Sequence, residues 1–416
     1  MASLFVGLST LCVLLSLLLS GCEFFYQAVE TPQFSVAEGK YASNQSVAIT
    51  CATEGAAIHY TTDGTTPTAA STAYTAAVPV SGYGTSVTLK AMAVKSGMSD
   101  SAVASAAYSI SNWYTSATYV NSSSKYGAGY WKNGSFTAIT DLPDGAQAMG
   151  FRIAVSGTDV YVAGYSIASV YLPVFWKNGA RTDLPCIDVA KGGGAFGVCV
   201  SGTDVYAAGT VKNSSGVSKP CYWKNGTKTD LFDADTADTG NAMGIAVSGG
   251  SVSVPCYWKD GVKTDLSVLD ATRDGKAVDV CVSEGDVYVT GYSISTSSVR
   301  TTCHWKSGER VDDSGGSMSD SIPAMLAGIV VSGTDPCVTG MTDDGTPSPC
   351  YWKSGTRNVL AGAGGATIAG RATEAVSCGT DLLLCGYMKT GSTPTPCCWL
   401  NGTYADLPLP TGSLGG

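Results

Sequence analysis

A tryptophan-centred pattern, Trp-Lys-Asn-Gly and its variants, recurs along this 416-residue chain from residue 111 onward. Successive tryptophans are separated by 45, 47, 35, 47, 47 and 47 residues: Trp131, Trp176, Trp223, Trp258, Trp305, Trp352 and Trp399. A period near 47 residues is the length of one four-stranded propeller blade. Such a unit cannot bury its apolar face alone, so the spacing predicts a ring of stacked β-sheets.

Each full repeat unit contains four short strand patterns. The second unit shows them at residues 150–155, 160–165, 174–176 and 181–184. An Asn-Gly pair or a related pair joins the third strand to the fourth, and such pairs favour the positive φ angles of a type I′ hairpin. The pairs are Asn133-Gly134, Asn178-Gly179, Asn225-Gly226, Asp260-Gly261 and Asn401-Gly402, with weaker versions at Ser307-Gly308 and Ser354-Gly355.

The two ends of the repeat region indicate how the ring closes. The first unit has only later strands, at residues 114–120 and 127–131, and the chain ends soon after a fourth strand at 403–407. If each blade begins with the fourth strand of one unit, this last strand must join the first hairpin, which would remove exposed sheet edges. We therefore predict seven blades. The short interval before Trp258 keeps six as the alternative.

Several residue types recur at fixed repeat positions. A repeat-defining Trp usually packs between sheets, so core packing is expected rather than a sugar-stacking surface. The position two residues before it holds Gly129, Val174 or a cysteine, and equivalent positions on successive units are too far apart for disulfides. Most cysteines are therefore expected to be buried free thiols. The aspartates of the first hairpin turn should cap their own backbone: Asp159, Asp204, Asp286, Asp335 and Asp381.

Composition supports an all-β chain and excludes one class of partner. Charged residues make up 14%, and Gly, with 51 residues, and Tyr, with 21, are abundant. This composition favours short strands and turns. The net charge of −9 provides no basic surface for phosphates, so nucleic acid is excluded as a partner.

A second, shorter β module precedes the repeats, at residues 31–110. Its most specific passage runs from Ile58 to Thr68, where a Tyr- and Thr-rich strand meets Asp63-Gly64 and Pro67 ends the ladder, so a hairpin corner is expected. The module resembles the immunoglobulin-like C-terminal module of chitobiase and β-hexosaminidase. The matching residues include Phe34, Gly39, Tyr41, the 60–68 run and the 89–95 strand before Gly97. The resemblance implies an accessory β-sandwich without catalytic residues.

The repeat region, residues 111–416, also resembles the extracellular Trp-x-x-Gly…Asp-Leu repeats of bacterial surface proteins. The resemblance rests on the Trp-Lys-x-Gly turns and on five Asp-Leu pairs: Asp141-Leu142, Asp183-Leu184, Asp230-Leu231, Asp265-Leu266 and Asp406-Leu407. It implies a surface location, not a defined activity. The predicted architecture is thus an immunoglobulin-like β-sandwich followed by a β-propeller.

The N-terminus indicates export. An apolar run, residues 4–19, ends at Leu19-Ser20-Gly21-Cys22 and resembles a bacterial lipoprotein signal peptide. Residues 1–21 would then be removed, Cys22 would carry the lipid anchor, and residues 22–30 would form a tether. The predicted location is the bacterial cell envelope, at the outer membrane or cell surface. An uncleaved membrane anchor is the alternative.

Candidate chemical sites are sparse. The aspartates Asp233, Asp235 and Asp238 have oxygen spacings that could hold calcium, but their register departs from that of a regular calcium loop, which favours a solvated insertion. His59 and Asp63 lack partners in sequence and are expected to be structural, and His304 replaces a repeat tyrosine. No catalytic residue and no cofactor is predicted.

The leading hypothesis is a non-catalytic cell-surface lipoprotein that binds an unknown glycan or protein. One alternative is a carbohydrate-active enzyme, either a propeller glycosidase or a lyase, and another is a structural envelope protein. An enzyme should bring two or more carboxylates together near the propeller axis. A binding protein needs only hydroxyl and aromatic groups there. The sequence does not indicate the oligomeric state.

Overall fold

The chain forms an all-β structure, as predicted. A computed structural model describes residues 27–231, 241–248, 251–254, 258–259, 262–263, 266, 276–294, 296, 300–318, 327–332, 335–343, 347–366, 368–379, 381–390, 393–409 and 413. The contacts divide the chain into one unit ending at Ile110 and a second that begins at Ser111 and includes Lys40–Ser43. Among the described residues, no helix is long and apolar enough to span a lipid bilayer.

The first unit is a small β-sandwich. Its strands are β1 (Gln33–Phe34), β2 (Gly39–Tyr41), β3 (Gln45–Val47), β4 (Ile49–Thr50), β5 (Ala57–Thr61), β6 (Thr72–Ala73), β7 (Val78–Val80), β8 (Ser86–Val94) and β9 (Ala104–Ile110). The main sheet has the order β2-β9-β8-β5-β6, and β1-β4 and β3-β7 form two-stranded sheets. Val47 and Val80 of the small sheet and Leu89 and Tyr108 of the main sheet are buried and form the core.

The predicted hairpin corner is present but wider than a two-residue turn. Strand β5 ends at Thr61, and the chain returns as β6 after residues 62–71, pairing His59 with Ala73. Asp63 accepts a hydrogen bond from the Thr65 amide at 3.0 Å, and His59 Nδ1 lies 3.0 Å from the Ser71 carbonyl oxygen. Both side chains hold the local backbone, which confirms their predicted structural role.

The second unit consists of antiparallel sheets with the sequential strand order of propeller blades. A three-stranded sheet comes first, with β10 (Tyr114–Val120), β11 (Tyr126–Lys132) and β12 (Ser135–Ala138). Six four-stranded sheets follow in the described residues: β13 (Gln147–Ser156), β14 (Asp159–Ile167), β15 (Tyr171–Lys177), β16 (Ala180–Asp183); β17 (Gly193–Ser201), β18 (Asp204–Lys212), β19 (Ser218–Lys224), β20 (Thr227–Asp230); β21 (Ala246–Ser248), β22 (Ser251–Val254), β23 (Trp258–Lys259), β24 (Val262–Lys263); β25 (Lys276–Ser283), β26 (Asp286–Ile294), β27 (Arg300–Lys306), β28 (Glu309–Met318); β29 (Gly328–Ser332), β30 (Asp335–Asp343), β31 (Pro347–Lys353), β32 (Thr356–Val359); and β33 (Gly370–Cys378), β34 (Asp381–Thr390), β35 (Thr393–Leu400), β36 (Thr403–Asp406). A 3₁₀ turn, Ala363–Gly365, precedes the last sheet.

The ring closes by packing rather than by a shared sheet. The expectation that the last strand joins the first hairpin is wrong, because β36 pairs with β35 of its own sheet. Leu383 and Cys385 of the last sheet pack instead on Trp113, Ala117 and Trp131 at the first sheet. The described residues of the second unit form seven sheets, and the first of these has three strands because it lacks a first strand. The predicted number of blades, seven or six, stays a prediction.

The unit before Trp258 keeps its chain direction despite its missing residues. Strands β21–β24 form a four-stranded antiparallel sheet with shortened strands, and Ala246 pairs with Ser253 and Val254 with Trp258. The deletion thus shortens the strands and their loops and keeps an even number of strands. The short interval before Trp258 therefore does not remove a strand from this sheet.

The hairpins between third and fourth strands have the predicted geometry. Asn178, Asn225 and Asn401 have φ angles of 50°, 49° and 49°, and the following glycines have φ angles of 85°, 82° and 83°. Two successive positive φ angles define the type I′ turn, and glycine adopts the second without steric cost. Ser307 and Ser354 also adopt a φ of 49°.

The recurring aspartates connect two hairpins instead of capping their own turn. Asn225 Nδ2 donates to Asp204 at 2.7 Å, and Lys224 Nζ lies 2.7 Å from the same carboxylate. The same contacts join Asp159 to Asn178 and Lys177, and Asn401 Nδ2 donates to Asp381. We call this recurring contact the Asp–Asn clamp. It holds the turn at the start of the second strand against the hairpin after the third.

Six of the seven repeat tryptophans are core residues, as predicted, and the side chain of Trp258 lies outside the described part of the chain. Side chains are at most 3% exposed for Trp131, Trp176, Trp223, Trp305, Trp352 and Trp399. The indole N–H groups also link neighbouring sheets: that of Trp223 donates to the Pro185 carbonyl at 3.0 Å and that of Trp399 to the Ala361 carbonyl at 2.8 Å. Trp131 donates to Pro408 at 2.7 Å, which ties the first sheet to the end of the last.

The cysteines two residues before these tryptophans fill the core. Cys221, Cys303, Cys350 and Cys397 are each fully buried. All four are free thiols. Burial raises the pKa of the Cys221 and Cys397 thiols well above the usual range. They therefore act as small apolar side chains, as the exchange with Gly129 and Val174 indicated.

The Asp–Asn clamp can be tested at Asn225. Replacing Asn225 with Ala removes its hydrogen bonds to Asp204 and to the Val205 amide (2.9 Å) and places Ala at a positive φ. We expect a loss of about 2–3 kcal/mol in the free energy of unfolding, from about 1 kcal/mol for each contribution. Urea unfolding followed by tryptophan fluorescence measures it.

Asn225→Gly is the matched control, because it keeps the turn conformation and loses only the hydrogen bonds. Its free energy of unfolding should fall by about 1 kcal/mol less than that of Asn225→Ala. An unchanged unfolding midpoint in Asn225→Ala would show that the clamp does not support the sheet.

Candidate functional site

A β-bulge directs side chains toward the propeller axis. The register of the first strand shifts between Gly150 and Arg152 of β13 and between Ala277 and Asp279 of β25. Equivalent shifts occur in β17 between Ala195 and Gly197 and in β33 between Ala372 and Glu374. A bulge bends a strand and re-aims the next side chain. The residues after the bulges line one axial cavity: Arg152, Gly197, Asp279 and Glu374.

Three charged side chains meet in this axial cavity, which has a volume of about 160 Å³. Arg152 Nη2 lies 3.1 Å from Asp279 Oδ2, and that oxygen also accepts from the Ile329 amide at 3.1 Å. Glu374 accepts a hydrogen bond from Thr115 Oγ1 at 2.7 Å. Arg152 is thus ion-paired with Asp279 and favours the charged form of Glu374 through its nearby charge.

Burial dominates the electrostatics of both carboxylates. It raises the pKa of Asp279 even though the neighbouring Arg152 favours the charged form. It also raises the pKa of Glu374, where Arg152 and the Thr115 hydroxyl oppose the shift and Asp279 adds to it. Two carboxylates that share one cation in a low-dielectric site disfavour double ionisation. Each carboxyl therefore keeps its proton to a higher pH than an exposed carboxyl does.

A larger opening lies where the first sheet lacks its first strand. This missing-strand slot has a volume of about 440 Å³ and is bordered by β10, β13, β33 and the last sheet. Its lining residues are Ser116, Thr118, Val120, Tyr126, Gly150, Phe151, Arg152, Thr373, Glu374, Tyr387 and Pro394. Arg152 and Glu374 also line the axial cavity, so the slot leads to the charged cluster.

Direct hydrogen bonds between β10 and β13 partly replace the missing strand. Ser116 Oγ donates to the Phe151 carbonyl at 3.0 Å, and Thr118 Oγ1 donates to the Gly150 carbonyl at 3.0 Å. Arg152 Nη1 reaches the Thr373 carbonyl at 3.5 Å, and Arg152 Nη2 donates to the Ala327 carbonyl. Side chains thus provide contacts that backbone provides elsewhere in the ring.

Aromatic side chains continue from the slot across the next two sheets. Ring centroids of Phe151 and Tyr165 lie 5.1 Å apart, those of Tyr165 and Tyr171 4.8 Å, and those of Phe151 and Phe196 5.5 Å. Tyr126 at the slot and Tyr171 are 45% and 53% exposed. These five residues form what we call the aromatic belt. Phe151 and Phe196 are themselves the extra residues of the bulges.

The aromatic belt ends in an outer groove between the second and third sheets. This groove has a volume of about 170 Å³, and Tyr165, Tyr171 and Phe196 provide its aromatic rings. Its other lining residues are Lys191, Gly193, Gly194, Thr210, Lys212, Ser218 and Asn241. A Cβ on Gly194 would lie 3.0–3.2 Å from the rings of Phe196 and Tyr165, so glycine permits the rings to approach the strand.

Two of the predicted chemical sites fall on residues that the structure does not describe. Cys22 and the weak calcium candidates Asp233, Asp235 and Asp238 are outside the described residues. Within the described parts of the chain, no group of three or more His, Cys, Asp or Glu side chains could hold a metal ion. His304 is a buried strand residue of β27.

The axial cluster was missed by the sequence analysis, although the repeats contain a signal for it. Four residues before the repeated serine of the first hairpin, the units hold Arg152, Gly197, Gly244, Asp279 and Gly328. This repeat position holds either glycine or a charged residue. Such a pattern is expected where side chains from several sheets meet at a common centre with little space. The bulge that aims this position at the axis had no separate signal.

Part of the first unit is similar to a known family of domains. Residues 36–105 match the chitobiase/beta-hexosaminidase C-terminal domain, which agrees with the resemblance drawn from the sequence. The match covers the sandwich and does not reach the repeats. No curated protein is similar in sequence to the chain.

Solved structures with a similar backbone fold include a peptidase, a TolB protein and a lectin. A puromycin-hydrolyzing peptidase from Mycobacterium tuberculosis shares 12% identity at a TM-score of 0.44, covering 71% of this chain and 51% of the peptidase. TolB from Acinetobacter baumannii has 9% sequence identity and a TM-score of 0.39, and the match covers 70% of this chain and 62% of TolB. The six-bladed fucose-recognising lectin from Aleuria aurantia has 12% sequence identity and a TM-score of 0.35, and the match covers 72% of this chain and 97% of the lectin. The chain spans about half the length of the peptidase.

The raised pKa of Glu374 predicts a pH-dependent gain in stability for Glu374→Gln. A carboxyl whose folded pKa is raised favours folding when protonated, and this contribution is lost as pH rises through the folded pKa. The variant keeps an oxygen acceptor for Thr115 but carries no charge. The difference in unfolding free energy, variant minus wild type, should therefore increase from pH 4 toward pH 7 in urea titrations.

Glu309→Gln, at an exposed hairpin residue, controls for the loss of one negative charge. A difference for Glu374→Gln that stays flat or decreases with pH would contradict the burial-dominated shift.

Proposed function

We propose that this protein is an exported, lipid-anchored binding protein whose propeller binds a saccharide along the aromatic belt. The observation that carries the proposal is the continuity of the belt: exposed and half-buried rings connect the missing-strand slot to the outer groove. Binding sites combine apolar and aromatic walls with a few convergent polar groups. Both cavities have that composition.

The chemistry of the belt favours a saccharide over a flat apolar ligand. A sugar presents C–H groups to a ring face and hydroxyls at its edges. In the slot, the Ser116, Thr118 and Thr373 hydroxyls donate within the protein, and each oxygen can also accept a hydrogen bond from a ligand. The outer groove adds the polar side chains of Ser218, Thr210 and Asn241. Tyr171 is exposed and in edge contact with Tyr165, so its outer surface is available to a ligand. A protein partner is the other outcome of the same test.

The export part of the proposal rests on the N-terminal sequence. The apolar run that ends at Leu19-Ser20-Gly21-Cys22 supports cleavage before Cys22 and acylation of its side chain. The accessory sandwich would then lie between the anchor and the propeller in the order of the chain. A surface location gives a saccharide-binding propeller access to glycans outside the cell.

A carbohydrate-active enzyme is the second candidate, and one observation favours it. Asp279 and Glu374 converge near the axis, which is the arrangement that we expected of an enzyme. The raised pKa of Glu374 would suit a general acid. However, Asp279 is ion-paired to Arg152 and also bound to the Ile329 amide, so its carboxylate is committed to the fold. Binding is therefore the better-supported function.

Removing an exposed belt ring should weaken saccharide binding. A glycan array with the lipid-free protein identifies the ligand, and calorimetry then compares wild type with Tyr171→Ala. We expect the dissociation constant to rise about tenfold, or about 1.4 kcal/mol, because a ligand-stacked aromatic carries much of the contact energy.

Tyr83→Ala, which removes a 46% exposed ring from the sandwich, should leave the affinity unchanged. Equal effects of both variants, or no glycan bound, would count against the belt as the site. Release of new reducing ends from the bound glycan, lost in Glu374→Gln, would favour the enzyme candidate instead.

Lipidation predicts a separate outcome at Cys22. In a bacterial host, the wild-type chain should incorporate labelled fatty acid and partition into detergent, whereas Cys22→Ser should do neither. Cys51→Ser serves as the control, since this cysteine lies in the sandwich. Equal labelling of wild type and Cys22→Ser would refute the anchor while leaving saccharide binding open.

A further inference from the structure

Two cysteines of the last sheet lie directly opposite each other. In the antiparallel pairing of β34 with β35, Cys385 is the partner of Cys398. Among the strand pairings that the structure describes, no other register places two cysteines opposite each other. This pair does not use the repeat position of Cys221 and Cys397, so the spacing between units does not limit it.

The hydrogen-bond pattern sets the distance between the two cysteines. The Asn401 amide donates to the Leu382 carbonyl, so backbone hydrogen bonds of β34 toward β35 fall on Leu382 and alternate residues. Cys385 and Cys398 then form a non-hydrogen-bonded pair, whose Cα atoms lie about 4.5 Å apart. A disulfide spans Cα distances of about 4.4–6.8 Å. The backbone therefore permits this bond without rearrangement.

Both thiols face the seam where the ring closes. Cys385 and Cys398 are 2% and 6% exposed and pack in one cluster with Trp113, Ala117 and Trp131. Cys397, the neighbour of Cys398, faces the opposite side and packs with Trp399. The side-chain directions thus select Cys398, not Cys397, as the partner of Cys385.

We propose that Cys385 and Cys398 form a cross-strand disulfide when the protein meets a disulfide oxidant such as oxidised glutathione. The thiolate of Cys398 attacks the oxidant and releases one glutathione thiol. The thiolate of Cys385 then attacks Cys398 Sγ of the mixed disulfide and releases the second. Two protein thiols are oxidised, and one oxidised glutathione is reduced to two thiols that take up both protons.

The surroundings determine when this exchange can occur. Burial raises the pKa of Cys398 to about 11 and raises the pKa of Cys385 well above its usual range, with the nearby Glu374 adding to the latter shift. Thiolates are therefore scarce while the seam is closed, and exchange needs an open seam or an unfinished fold. Once formed, the bond staples the second and third strands of the last sheet at the closure. The inference needs neither the saccharide nor the lipid anchor.

The test uses the full chain in two arms. In one, the folded, reduced protein is incubated with oxidised glutathione; in the other, it is refolded from denaturant in reduced and oxidised glutathione. Remaining thiols are alkylated in denaturant before tryptic digestion and mass spectrometry without reduction. Cleavage after Arg371 and Lys389 places the two cysteines in separate peptides, residues 372–389 and 390–416. We expect these peptides to be linked, with a mass about 2 Da below their sum.

Two variants assign the bond, because each peptide contains a second cysteine. Cys385→Ala introduces the residue found at the equivalent Ala163 and should reduce the link at least about tenfold. Cys397→Val introduces the residue found at Val174 and should retain it. A link formed only on refolding supports the bond and shows that the folded seam stays closed. No link in either arm, or a link that survives Cys385→Ala, overturns the proposal.

Discussion

The Asp–Asn clamp is the interaction on which the repeat architecture depends. A type I′ hairpin fixes the third strand against the fourth, but nothing in that turn fixes the first two strands. The contacts of Asp204 with Asn225 and Lys224 add this second constraint, because one carboxylate at the start of the second strand holds both residues of the distant turn. The buried Trp223, directly before Lys224 in the chain, links the sheet to its neighbour through the indole N–H. Trp223, Lys224 and Asn225 are adjacent in the chain. The residues that hold the turn therefore lie next to the residue that joins neighbouring sheets.

Closing the ring poses a separate physical problem, because the first sheet lacks a first strand. Backbone groups that would pair with that strand need other partners, since unpaired buried polar groups are costly. The Ser116 backbone of β10 bonds to the Glu374 side chain. The Ser116 and Thr118 hydroxyls bond across to β13, and Arg152 reaches the carbonyl groups of Thr373 and Ala327. An arginine with five donors suits this position. Its charge in turn accounts for the two buried carboxylates, of which Asp279 is the direct ion-pair partner.

The sequence predicted those parts of the structure that repeat. The four strands of each unit, the positive φ angles of Asn178 and Asn225, the buried tryptophans and the small cysteine position all follow from local patterns seen several times over. The closure was predicted wrongly, because strand periodicity does not say which strand begins a sheet. The axial cluster was missed because the bulge before Arg152 and Glu374 depends on how neighbouring strands pair, which the sequence does not show directly. A position that holds either glycine or a charged residue also does not produce the periodic pattern by which helices and strands are recognised.

The candidate site lies where the repeats depart from one another, and this has a physical reason. Identical units would place identical side chains around the axis, and six like charges there would repel each other. With glycine at Gly197 and Gly244, one cation and two carboxylates occupy the cavity without crowding. Likewise, only the first two bulges carry aromatic residues, Phe151 and Phe196, whereas the later ones carry Val278 and Thr373. The aromatic belt is therefore confined to one side of the ring, beside the only first strand missing from the described sheets, where a ligand finds both rings and an opening.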